Sequence, residues 1–116
     1  MKVIELEINN PSGLHARPAA MFVRTAGAQR SAILVRNLDR GGSAANAKSL
    51  LSVLGLGVSR GHRIWIQADG EDEEAAIAAL RDAIESGLGE APGEASQGGT
   101  GSGEASERAA QRPAGS

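Results

Sequence analysis

Asn9-Asn10-Pro11-Ser12-Gly13-Leu14-His15-Ala16-Arg17-Pro18-Ala19-Ala20 joins an alternating, strand-like run to an alanine-rich, helix-like one. Asn, Pro, Ser and Gly in succession are turn chemistry, each fixing φ, bonding its own backbone or permitting φ > 0. Pro18 falls within the first turn of the helix that follows, where a missing N–H has no partner to lose. This reading places His15 at or next to the helix N-cap, with the backbone N–H groups of Ala16 and Arg17 pointing outward beside it. An unpaired helix N-terminus attracts anions, phosphate above all, and the Arg17 guanidinium fork suits phosphate oxygens. Histidine is nucleophilic near neutral pH because much of it is unprotonated there. A nucleophile inside an anion cradle points to a residue that accepts and surrenders a phosphoryl group. A histidine standing alone before a helix is more often a cap or a loop residue, so the rest of the chain has to weigh in.

On the N-terminal side, Lys2 to Ile8 alternates with period two: Val3 or Ile4, Leu6 and Ile8 share one face, and Glu5 and Glu7 lie on the other. That is a half-buried strand. On the other side, Ala16 to about Ala28 predicts a helix with Ala19, Phe22, Val23 and Ala26 along its apolar stripe and Gly27 as its stop. Ser31 to Leu38 is a β-branched run suited to a strand, Asn37 to Gly42 a turn, and Ser43-Ala44-Ala45 the returning edge of a hairpin. Asn46 is expected to cap a short helix over Ala47 to Leu54, stopped by Gly55 and Gly57. Arg60 to Ala68 predicts the last strand, and Asp69-Gly70 a turn. Glu71-Asp72-Glu73-Glu74 puts four carboxylates in the first turn of a third helix, where the macrodipole favours them. Ala76, Ile77, Leu80, Ala83 and Ile84 supply its buried stripe, and Gly87 ends it.

The order β-α-β-β-α-β-α leaves too few residues for parallel crossovers throughout. It implies an α+β, open-faced two-layer sandwich, a four-stranded antiparallel sheet with three helices on one face. Residues 1–90 form this domain. From Ala91 to Ser116 there is no large apolar side chain, so the segment is expected to be a disordered Gly/Ala/Ser-rich tail or linker.

Composition removes several classes of function. The chain has 116 residues and a net charge of −2, which gives no electrostatic case for nucleic acid or an anionic membrane. It has no cysteine, hence no disulfide, thiolate metal site or cysteine nucleophile. Phe22 and Trp65 are its only aromatics, so base-stacking platforms are unavailable. No signal-peptide core and no run of transmembrane length is present, and the expectation is a soluble, cytoplasmic, monomeric protein. His62 has no companion at metal-ligand spacing and reads as a surface strand or loop residue. Gly55-Leu56-Gly57 is no phosphate loop, because no Gly-Lys-Ser/Thr follows.

Gly13-Leu14-His15-Ala16-Arg17-Pro18-Ala19 resembles the active-site segment of HPr, the histidine-containing phosphocarrier of the bacterial phosphoenolpyruvate:sugar phosphotransferase system. The resemblance covers Met1 to about Glu90 and implies the same open-faced sandwich. It implies that His15 accepts a phosphoryl group from Enzyme I on Nδ1 and passes it to Enzyme IIA-type proteins. The Ala16 and Arg17 amides and the Arg17 side chain would hold the phosphoryl oxygens. The resemblance implies a carrier rather than an enzyme, with no metal or cofactor.

Asn46-Ala47-Lys48-Ser49 matches the HPr segment that carries a regulatory serine, so Ser49 is a candidate substrate of HPr kinase/phosphorylase or an ordinary first-turn serine. Ala20, Arg24, Leu50, Leu51 and Leu54 correspond by position to the family's docking face; the leucines could equally overfill a small core. Arg17 and Arg24 share a helical face that could meet an acidic partner. Three other readings stay open: an HPr-like module of the dihydroxyacetone phosphotransfer system, a regulatory partner acting through phospho-Ser49, and an unrelated small α/β binding module.

Overall fold

A computed structural model describes residues 1–90; the tail expected over 91–116 lies outside the described residues. Strand β1 (Lys2–Glu7) is followed by helix α1 (Ala16–Gly27), strands β2 (Ala32–Asn37) and β3 (Ala45–Asn46), helix α2 (Leu50–Leu54), strand β4 (Arg63–Asp69) and helix α3 (Glu73–Glu85). All strand pairs are antiparallel, and the sheet runs β1-β4-β2-β3. The architecture is the one expected, four antiparallel strands under three helices.

The two central strands carry the apolar alternation furthest. Ile33 and Val35 of β2 and Ile64, Ile66 and Ala68 of β4 are buried, and register pairs Val35 with Ile66 and Leu6 of β1 with Ile64. In β1 the inward set is Ile4 and Leu6, continued by the fully buried Ile8, while Val3 is 46% exposed. Helix α1 buries Ala19, Phe22 and Ala26, and α3 buries Ala76, Ile77, Leu80 and Ile84. Phe22 is the largest fully buried side chain. Removing it should cost about 3–5 kcal/mol.

Four expectations need correcting. Ser43 and Ala44 are not in the edge strand, which is only Ala45–Asn46. Asn46 is paired in that strand, so it does not cap the second helix; its side chain accepts from the Lys48 amide at 2.9 Å. The helix begins at Leu50 with Ser49 as N-cap, the Ser49 hydroxyl accepting from the Ser52 amide. Arg60 to His62 make a turn, and β4 begins at Arg63. Only Glu73 and Glu74 stand in the first turn of α3. Asp72 precedes it, and its carboxylate accepts from the amides of Arg30 at 2.8 Å and Ser31 at 2.9 Å. That carboxylate ties the start of β2 to the start of α3.

Candidate functional site

The loop before α1 is held from three sides. Asn10, 1% exposed, donates from Nδ2 to the Gly13 carbonyl at 2.9 Å, and the Gly13 amide donates back to the Asn10 carbonyl at 3.1 Å. Gly13 takes φ +62°, a conformation that suits glycine. The Leu14 amide then donates to the Val58 carbonyl at 2.9 Å, and the Leu14 side chain is fully buried. On the far side of His15, Pro18 and Ala19 are buried. His15 lies between two anchored stretches.

His15 itself is extended, with φ −130° and ψ 158°, and occupies the N-cap position as expected. Its side chain is exposed and makes no capping hydrogen bond. Ala16 follows at φ +52°, a left-handed conformation that a residue with a Cβ rarely adopts. Such strain, about 1–3 kcal/mol, persists only where the surroundings over-determine it. Here the buried Leu14 and Pro18 on either side do so. Ala16 and Arg17 are the first two helical residues, so their amides have no partner within the helix, and among the described residues none of the bonds between elements uses them. An exposed imidazole thus stands beside free backbone donors and the exposed Arg17. A depression of about 370 Å³ lined by Leu6, Glu7, Asn9, Ile84 and Glu85 does not include His15. An imidazole on the open surface suits a partner as large as another protein rather than an engulfed small molecule.

The second histidine is placed differently. His62 is half-buried, and its Nδ1 lies 3.1 Å from the Ser59 amide and 3.3 Å from Asn37 Nδ2. Both neighbours are donors, so Nδ1 serves as the acceptor. Asn37 also donates to the Leu56 carbonyl and accepts from the Asp39 and Arg40 amides. His62 is therefore a loop fastener and more enclosed than the surface residue expected.

Residues 3–86 match the family model described as the PTS HPr component phosphorylation site. The chain belongs to the HPr family. It is 45% identical over 80 residues to the phosphocarrier protein HPr of Streptomyces coelicolor, covering 69% of this chain and 84% of that one. The crystal structure of HPr-C-His from Thermoanaerobacter tengcongensis superposes with a TM-score of 0.72 at 49% identity, covering 78% of this chain and 98% of that one. The multiphosphoryl transfer protein of Salmonella typhimurium is 50% identical over 86 residues, 74% of this chain. The match spans only 23% of that relative's length. An HPr domain is a phosphocarrier unit and not an enzyme in itself.

Around the loop that carries His15, Leu51 is 82% exposed and Leu50 43% exposed, whereas Leu54 is partly buried and Val53 completes the core beneath. Leu50 and Leu51 therefore do not overfill the core. Arg24 is exposed and Ala20 half-buried, both on α1, which packs against α2. Among the described residues no group of three or more His, Asp or Glu side chains could hold a metal ion. No described helix is long and apolar enough to cross a membrane.

Sequence reasoning missed Glu90. Its carboxylate accepts from the Ser12 amide at 3.0 Å, the Ser12 hydroxyl at 2.7 Å and Asn10 Nδ2 at 3.2 Å. Partial burial pushes the Glu90 carboxyl up. The Ser12 and Asn10 bonds and the Arg17 charge outweigh that and hold it below the ordinary glutamate value. No local signal marks this residue, because its partners are 78 and 80 positions away.

Proposed function

We propose that His15 is the phosphoryl acceptor of this HPr domain, taking the group on Nδ1 from phosphorylated Enzyme I. The ring's lone pair attacks phosphorus, a new N–P bond forms as the donor's N–P bond breaks, and the donor histidine leaves with the electron pair. The same exchange in reverse order delivers the group to a downstream Enzyme IIA-type protein in sugar uptake. The Ala16 and Arg17 amides and the Arg17 guanidinium hold the phosphoryl oxygens, and the positioning is supplied by protein docking. No metal or cofactor of its own is needed, since nothing but a group already activated on nitrogen changes hands. Ala20, Arg24, Leu50, Leu51 and Leu54 form the docking face, with Arg17 and Arg24 meeting an acidic partner.

One observation carries the choice of histidine. His15 offers an exposed ring without a capping bond beside unused amides, whereas His62 Nδ1 is already engaged by two donors. A second reading concerns context: the domain serves within a multidomain phosphotransfer protein, of the sugar system or the dihydroxyacetone system, with 91–116 as linker. The match to a quarter of a multiphosphoryl transfer protein and the linker-like composition of 91–116 favour it. The protein works as a monomer in the cytoplasm. Regulation by HPr kinase/phosphorylase at Ser49 would add charge next to Leu50 and Leu51 and weaken docking on an acidic partner.

The test is incubation of the full chain with Enzyme I and labelled phosphoenolpyruvate. Acid-labile label should appear in the wild type and in His62→Gln, and be absent in His15→Ala. Label persisting in His15→Ala refutes the assignment. Acid-stable label from ATP and the kinase, lost in Ser49→Ala, supports the regulatory reading.

A further inference from the structure

Three successive residues after α3 leave the right-handed region: Gly87 at φ +94°, Leu88 at φ +52° and Gly89 at φ +88°. Leu88 carries a side chain in that conformation and is 1% exposed, anchored by its amide to the Ala83 carbonyl at 2.9 Å. This turn drives the backbone back across α1. A Cβ at Gly89 would come within 3.3 Å of Met21 Cε and 4.0 Å of Arg17 Cδ, so the turn passes directly over the stem of Arg17. It ends by presenting Glu90 to the loop that precedes His15. Oε1 receives Asn10 Nδ2 and the Ser12 amide, and Oε2 receives the Ser12 hydroxyl. Asn10 uses the same amide group to hold the Gly13 carbonyl. The carboxylate therefore closes the Asn10–Gly13 turn from outside while Asn10 closes it from within.

We infer that Glu90 is a positioning residue for phosphoryl transfer, acting through the Asn10–Ser12 turn and the Arg17 stem to aim His15 and its phosphate-binding donors. This rests on His15 being the acceptor. Glu90 lies beyond residues 3–86, which the family model matches. Two features set its action apart from simple stabilisation. Ionised, it forms charge-assisted bonds to a loop that must hold its shape when a dianionic group arrives, and such bonds are about twice as strong as neutral ones. The turn that carries it also packs over the Arg17 stem, which restricts where the guanidinium can swing before the phosphoryl group arrives.

The experiment measures kcat and KM for phosphorylation of the full chain by phospho-Enzyme I, with Glu90→Ala, Glu90→Gln, Ser12→Ala and the double variant Ser12→Ala/Glu90→Ala. Glu90→Ala is expected to lower kcat about tenfold with KM within twofold, the pattern of misaligned reacting groups rather than lost docking. Glu90→Gln, which keeps one acceptor oxygen, should recover part of that loss. The double variant should be no slower than Glu90→Ala, because both act through one contact. Amide exchange at Ser12 should quicken in Glu90→Ala while exchange in β4 stays slow, which separates loss of the clasp from unfolding. Unchanged kcat with a quickened Ser12 amide overturns the inference, as does a rise in KM alone or an additive double variant. A wild-type chain that takes no label on His15 removes the underlying reading instead, and this one with it.

Discussion

The Gly13 α-carbon lies against the Val58 carbonyl: a Cβ there would stand 2.4 Å from the Val58 oxygen and 2.8 Å from Ser59 Cα. The next residue, Leu14, donates its amide to that same carbonyl at 2.9 Å, so the loop before β4 supports the loop before His15. Glycine is required twice over, by the contact and by φ +62°.

Gly13→Ala should therefore lower stability by about 1–3 kcal/mol, the cost of a strained backbone position, with the overlap adding to it. Urea unfolding followed by far-UV circular dichroism checks this through a lower midpoint at unchanged slope. Phosphorylation by Enzyme I should fall as well, because Leu14 cannot keep its bond to Val58 once Gly13 is displaced.

His62→Phe separates the two histidines. It strands the Ser59 amide and Asn37 Nδ2 without their acceptor. The expected loss is about 1–3 kcal/mol of unfolding free energy. Acid-labile phosphorylation below the unfolding midpoint should stay within twofold of wild type. A large loss of phosphorylation in a folded His62→Phe protein would contradict the proposed choice of acceptor.

Leu51→Arg tests the proposed docking face. With Leu51 82% exposed, its replacement should move stability by no more than about 0.5 kcal/mol. The same change should raise KM with Enzyme I about tenfold and leave kcat nearly unaltered, since an apolar anchor at a protein contact is lost. Steady-state phosphorylation at varied protein concentration reads both constants.

Acid should destabilise the domain through named carboxylates. The Ser31 hydroxyl, then the Arg30 amide, holds Asp72 below its usual value; the N-terminal ammonium, then the Gly70 amide, does so for Glu73. Glu90 is held down by Ser12 and Asn10 against its partial burial. A carboxyl depressed on folding contributes stability that is complete above its unfolded pKa, near 4, and is lost as pH falls through the lower folded value. Urea midpoints should be level near neutrality and fall below about pH 4. Asp72→Asn should lower the midpoint at pH 7 and make the acid drop shallower; an identical pH profile would refute the role given to Asp72.

What could be read from the chain alone was whatever repeats over a few residues. Period two over Lys2–Ile8, the three- and four-residue spacing of Phe22 with Ala19 and Ala26, and the run Gly13–Ala19 each report a local backbone preference, so element order, open-faced sandwich and the N-cap position of His15 followed. Tertiary packing decided the rest, because it joins residues that no local pattern connects. Asn46 lost the cap to Ser49 since β2 claimed its backbone for pairing. Ala16 is forced to φ +52° between Leu14 and Pro18, both buried. Glu90 reaches Ser12 across 78 residues because a left-handed turn at Gly87–Gly89 aims it there. Local propensity sets which segments form helix or strand; only the closed fold determines which carboxylate ends beside which loop.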